Sequence, residues 1–113
     1  MRFCFDIDGV IAKDAYIVGT PADWHAYWRS REVFPQARLV LEKLQRSGHE
    51  ILLYTARFEQ DRLVTEEWLL QHQIPYDKLY MSKPRADLYI DDKNLRFPGW
   101  GKLLDVLQEA QAI

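Results

Sequence analysis

The sequence predicts an α/β domain: a doubly wound sheet of about four parallel strands with flanking helices and no cap domain. Three observations carry this expectation. Short apolar runs alternate with stretches of helical period. Each run ends in residues able to do chemistry. The chain has 113 residues, enough for one domain over 1–113.

The first run is Phe3-Cys4-Phe5-Asp6-Ile7-Asp8-Gly9-Val10, an apolar strand that leads into two carboxylates and a glycine. Residues two apart on a strand face the same side, so Asp6 and Asp8 are expected to point the same way. Gly9 permits a sharp turn or the close approach of a ligand. Two adjacent like charges need a cation, a shared proton or a basic side chain. Taken alone, the stretch also fits an acidic exit turn. Cys4 is the single cysteine and is expected to be a buried small hydrophobe.

Residues 12–34 form an aromatic insertion with Tyr16, Trp24, Tyr27, Trp28 and Phe34. Thr20 as N-cap and Pro21 at the first helical position predict a short helix over 21–30. Three roles are open to this flap: core cover, a lid over the end of strand one, or the contact of a homo-oligomer.

The next helix is clearer. Ala37, Val40, Leu41 and Leu44 recur at i, i+3, i+4, i+7, and Ser47-Gly48 is a stop signal. Ile51-Leu52-Leu53-Tyr54 reads as a strand buried on both faces, ending at Thr55-Ala56-Arg57. A helix over 60–72 follows, with Leu63, Val64, Trp68, Leu69 and Leu70 as a wide apolar face; Ile74-Pro75 breaks it. Lys78–Met81 is a third strand and Asp87–Ile90 a fourth, ending in Asp91-Asp92-Lys93. Trp100, Leu103, Leu104 and Leu107 mark a closing helix to residue 111.

Composition narrows the functional classes. Hydrophobic residues are 48% and charged residues 28%, as in an ordinary globular protein. A net charge of -2 gives no general reason to bind nucleic acid or anionic membrane. No apolar stretch has the length of a membrane span, and Met1-Arg2 leads straight into a strand. A cytoplasmic protein without a leader is the expectation. His25, His49 and His72 have no ligand spacing and read as surface residues.

In a doubly wound sheet, ligands bind outside the carboxyl ends of the strands. Asp6 and Asp8, Thr55, Lys83, and Asp91 with Asp92 all fall at that edge. Oxygen-rich carboxylate sites without His or Cys suit a hard cation, Mg²⁺ above all. Asp6 and Asp91 are then candidate metal ligands, with Asp92 a further one. Thr55 is a donor to a phosphoryl oxygen and Lys83 a counter-charge for another. A carboxylate nucleophile with an acid–base two residues on is an established route through an aspartyl-phosphate.

Asp6-Ile7-Asp8-Gly9-Val10, Leu53-Tyr54-Thr55-Ala56-Arg57, Lys83-Pro84 and Tyr89-Ile90-Asp91-Asp92 together resemble the four motifs of the haloacid dehalogenase superfamily of phosphohydrolases. The likeness covers nearly the whole chain. Ile74–Asp77 and Lys83–Lys93 further resemble small bacterial phosphatases of capsule or sugar-phosphate metabolism. The resemblance implies a capless Mg²⁺-dependent phosphomonoesterase acting on a small, sugar-type phosphate. It implies that Asp6 is the nucleophile and that Asp8 is the general acid and base, with its carbonyl on Mg²⁺. Thr55, Ala56, Arg57 and Lys83 would hold the phosphoryl group. Asp91 and Asp92 would complete the metal site, directly or from behind the ligands. Arg57 also fits a solvated surface arginine.

Two alternatives stand beside this. One keeps the chemistry and changes the substrate to a nucleotide or a nucleic-acid end. The other is a non-catalytic module resembling receiver domains, which accept phosphate on aspartate; such a module has no need of Asp8.

Overall fold

The computed structural model describes residues 1–13 and 20–113. Its centre is a three-stranded parallel sheet in the order β1-β2-β3. The strands are β1 (Arg2–Asp6), β2 (Glu50–Tyr54) and β3 (Lys78–Tyr80). The register sets Phe5 against Leu53 and Asp6 against Tyr54, then Leu53 against Leu79. Asp77 pins the start of β3: its carboxylate accepts from Ile51 N at 2.7 Å and its own N–H donates to Ile51 O at 2.8 Å.

The strand order runs one way, and right-handed crossovers then put both connecting helices on one face. Burial agrees. Phe5, Ile51, Leu53 and Leu79 are buried with helix residues, while Cys4, Lys78 and Tyr80, on the other face, are exposed. Two expectations are corrected by this. Cys4 is exposed, and β2 is buried on alternate residues, with Leu52 and Tyr54 only half-buried. Both follow from a single helical layer.

The expected fourth strand does not form among the described residues. Leu88 is 73% and Ile90 88% exposed, and 81–99 runs as irregular chain. The sheet is accordingly wound in one direction, without the reversal of strand order expected from the sequence.

α2 (Ala37–Arg46) buries the four residues of its predicted stripe. Gly48 ends it at φ +85°, a conformation costly for residues with a Cβ, and His49 N reaches back to Leu44 O. α3 (Arg62–Gln71) follows a 3-10 turn over Glu59–Asp61. Its apolar face is narrower than predicted: Val64, Thr65, Trp68 and Leu69 are buried, whereas Leu63 and Leu70 are exposed. Those two lie seven residues apart on the outward side. α4 (Trp100–Glu109) buries Trp100, Leu103 and Leu107. Trp100 stacks on Phe5, and its Nε1 donates to Val10 O at 2.8 Å.

The insertion is pinned at both ends. Lys13 N donates to Glu32 O and Phe34 N to Ile11 O. Its helix, α1 (Trp24–Arg29), starts later than expected. The N-cap is Asp23 rather than Thr20: its carboxylate accepts from His25 N and Ala26 N. The first part of the predicted flap, 14–19 with Tyr16, lies outside the described residues. No helix among the described residues is long and apolar enough to cross a membrane.

Candidate active site

The carboxyl ends of the three strands meet at one edge. β1 delivers Asp6 directly. The chain then turns around Ile7, whose carbonyl accepts from the amides of Val10, Ile11 and Ala12. Gly9 takes φ +86° in this turn. Ile7 is fully buried and anchors the turn in the core, leaving Asp6 and Asp8 half-exposed on either side. This is the alternation expected of a strand end.

β2 delivers Thr55, which is fully buried. Its amide donates to Tyr80 O and its carbonyl accepts from Lys83 N, so backbone bonds carry the pairing of β2 and β3 past the strands. Ser82, at φ +59°, turns the chain so that Lys83 points back over the edge. Lys83 Nζ donates to Asp6 Oδ2 at 3.2 Å. It also lies 4.1 Å from the ring centres of both Tyr54 and Tyr89. An ammonium between two ring faces and a carboxylate is held on three sides.

Arg57 is neither a surface arginine nor open to the edge: it is 2% exposed. Its Nη2 donates to Asp8 Oδ1 at 2.7 Å and its Nε to Asp8 Oδ2 at 3.1 Å. Nη1 donates to Thr65 Oγ1 at 3.1 Å. The guanidinium carbon sits 4.0 Å from the ring centre of Trp28 on α1. Thr55 Oγ1 makes a longer bond to Asp8 Oδ2, at 3.4 Å, and accepts from Arg57 N. Ala56 is half-buried in the turn between them.

Each carboxylate therefore has its own cation, Lys83 for Asp6 and Arg57 for Asp8. Burial pushes the Asp6 carboxyl above the usual range, and the charge of Asp8 adds to this; Lys83 and the amide of Ile7 pull the other way without cancelling it. Lys83 is pulled down by burial, but its contacts with Tyr54 and Asp6 outweigh this and leave it raised.

Asp91 and Asp92 are not brought to this cluster. Both are exposed, and Asp91 Oδ1 accepts from Lys93 N in a local turn. Among the described residues no three acidic, His or Cys side chains gather as a metal site. Asp6 and Asp8 are each paired with a cation, and no third carboxylate of the expected Mg²⁺ site stands with them among the described residues. The physical reason is the absent fourth strand, which was expected to carry the acidic pair to the edge.

Sequence reasoning missed four supporting residues. Tyr54 and Tyr89 read as strand residues but flank Lys83; Thr65 and Trp28 read as helix and flap but hold Arg57. A tyrosine one residue before a motif threonine is a faint signal at most. The approach of α1 and α3 to Arg57 had none. His25, read as a surface residue, does stand half-exposed, 3.1 Å from the buried Asp61 at the start of α3.

No family model and no curated protein matches the chain. Among solved structures, it is similar to a structural-genomics target from Vibrio cholerae, with 20% identity, TM-score 0.64, and coverage of 96% of this chain and 98% of that one. It is also similar to a chain in a structure of the Pnkp1/Rnl/Hen1 complex, with 23% identity, TM-score 0.56, and coverage of 76% and 30%. A structure of the Pnkp1/Rnl/Hen1 RNA repair complex holds another similar chain, with 20% identity, TM-score 0.56, and coverage of 97% and 32%. The chain thus spans about a third of those complex chains. These likenesses show a shared small α/β fold.

Proposed function

We propose that the chain is a phosphomonoesterase of the haloacid dehalogenase type that works through an aspartyl-phosphate and acts on a small, sugar-type phosphate. One observation carries this reading: Asp6, Asp8, Thr55 and Lys83, from the ends of three strands, stand together, with Lys83 Nζ 3.2 Å from Asp6 Oδ2. Asp6 forms a bond to phosphorus as the bond to the leaving oxygen breaks. That oxygen departs with the electron pair and takes a proton from Asp8. Water then attacks phosphorus, gives a proton to Asp8, and frees Asp6 and inorganic phosphate. Lys83 faces the charge on the phosphoryl oxygens, while the hydroxyl of Thr55 stays on Asp8 Oδ2.

Mg²⁺ belongs to the reading through the sequence alone, and no step above is routed through it. The same reading includes a fourth strand at 87–90 and, with it, a doubly wound sheet. It also includes a second copy meeting the aromatic flap.

A second substrate class has one observation in its favour. Phe58, next to Arg57, is 53% exposed, and Arg85, two residues past Lys83, lies 5.0 Å from its ring centre. An aromatic face with a cation near the phosphate site suits a nucleotide or a nucleic-acid end.

The test is phosphate release by purified protein with Mg²⁺ from a panel of a sugar phosphate, a mononucleotide and a phosphorylated oligonucleotide. The sugar phosphate is expected to be the fastest. Asp6→Asn is expected to lose roughly 10³-fold or more. Full activity in Asp6→Asn, or no release from any compound, defeats the proposal.

A further inference from the structure

Arg57 is the most buried charge at the site, and no step above uses it. Its fork takes both oxygens of Asp8, at 2.7 and 3.1 Å. The remaining nitrogen, Nη1, is fixed on Thr65 Oγ1 at 3.1 Å. Thr65 is itself fully buried, and its hydroxyl donates to Asp61 O at 2.8 Å. Trp28 covers the flat side of the guanidinium. A side chain held by a carboxylate, a hydroxyl and an indole face has no freedom to leave for a substrate. Resting on the phosphatase reading above, we propose that Arg57 is a positioning residue that selects which oxygen of Asp8 exchanges a proton, and that α1 keeps it in place through Trp28.

The selection follows from counting acceptor sites. A carboxylate offers about two lone-pair directions on each oxygen. On Asp8, Oδ2 accepts from Arg57 Nε and from Thr55 Oγ1, so both its directions are taken. Among the described residues Oδ1 accepts from Arg57 Nη2 alone, so one direction stays open. The open direction on Oδ1 is where a proton can pass to a leaving oxygen and where one can be taken from water. A planar bidentate fork sets this geometry; an ammonium, as a point charge, does not.

Leaving groups of different basicity separate this role from others. An alkyl phosphate needs its leaving oxygen protonated as the P–O bond breaks. An aryl phosphate with an acidic phenol leaves without that proton. Arg57→Lys is therefore measured by single-turnover alcohol release, with saturation by each substrate read separately. The first-turnover rate on an alkyl phosphate is expected to fall by about 10²–10⁴-fold, the range of general-acid contributions. On the aryl phosphate it is expected to stay within about tenfold, since that turnover takes no proton from Asp8. Saturation is expected to be unchanged for both. Equal falls on the two substrates, or weakened saturation with both rates kept, overturn the proposal.

Thr65→Val and Trp28→Leu loosen Arg57 without removing it and are expected to show the same selectivity at smaller size. If Arg57→Lys does not fold, as judged by circular dichroism, these two variants decide. A wild-type protein inactive on both esters overturns the phosphatase reading with this one. An active wild type with equal losses overturns only the positioning role.

Discussion

Lys83 and Asp6 are 77 residues apart in sequence and 3.2 Å apart at the site, yet the pairing does not bring the Asp6 carboxyl down to its usual range. Burial is the larger influence. The nucleophile of the proposed reaction must be ionised, so the acid limb of kcat/KM is expected above the ordinary Asp value of about 3.9. Lys83→Met removes a pull toward lower pKa, and the limb should move further up in pH while kcat falls about 10²–10³-fold. A pH–rate profile of both proteins checks this. An unmoved limb separates Lys83 from the titration of Asp6.

The same shift has a sign for stability. The folded carboxyl is raised above its unfolded value, so its contribution is fully present below the unfolded pKa. It is lost as pH rises through the folded pKa. Asp6→Asn is expected to remove this dependence, so that stability measured by urea unfolding declines less from mildly acidic to neutral pH than in the wild type. The two proteins losing stability in parallel contradicts it.

Asp8 should matter for folding as well as for chemistry. Its partner Arg57 has a side chain 1% exposed, and removing one member of a buried pair leaves the other charge uncompensated. Asp8→Ala is expected to lose about 3–5 kcal/mol in denaturant unfolding, a large share of a small domain's stability. Asp8→Asn keeps one acceptor for the fork and should lose less. Equal stability of wild type and Asp8→Ala rules this out.

Chelation separates the sequence expectation of Mg²⁺ from the arrangement of side chains. Protein treated with EDTA is expected to stop releasing phosphate and to recover on addition of Mg²⁺, as the motif likeness implies. Full activity after chelation would leave Lys83 and Arg57 as the charges that neutralise the site.

Cys4 reports on the uncovered face of the sheet. It is exposed on β1, and partial burial holds its thiol above the ordinary value. A maleimide is expected to label it in the native protein, more slowly than a free thiol because less thiolate is present. Labelling only after denaturation would mean that this face is covered, by residues 87–90 or by a second copy.

Local rules read most of the scaffold. The stripe of α2 and its glycine stop depend on neighbours within one or two turns, and Ala37, Val40, Leu41 and Leu44 are buried as their spacing requires. The strand ends were legible because an apolar run that closes on a polar residue marks its own limit: Asp6, Thr55 and Lys83 meet. What failed depended on distant packing. Leu63 and Leu70 are apolar but lie on the outward side of α3, which composition cannot reveal. Asp87–Ile90 has strand-like residues, yet whether it pairs depends on the edge of β1, more than eighty residues earlier. The burial of Arg57 required α1, α3 and Asp8 to converge, and none of these is its sequence neighbour.

The bond from Trp100 Nε1 to Val10 O has a consequence for the order in which the protein is made. The turn after β1, which separates Asp6 from Asp8, rests on a side chain ninety residues downstream. Chains emerge from the ribosome N-terminus first. Asp6 is thus synthesised well before Trp100, and its turn lacks this support until Trp100 has emerged. A nascent chain halted before residue 100 should carry every residue of the cluster and still lack the bond that holds Val10 O.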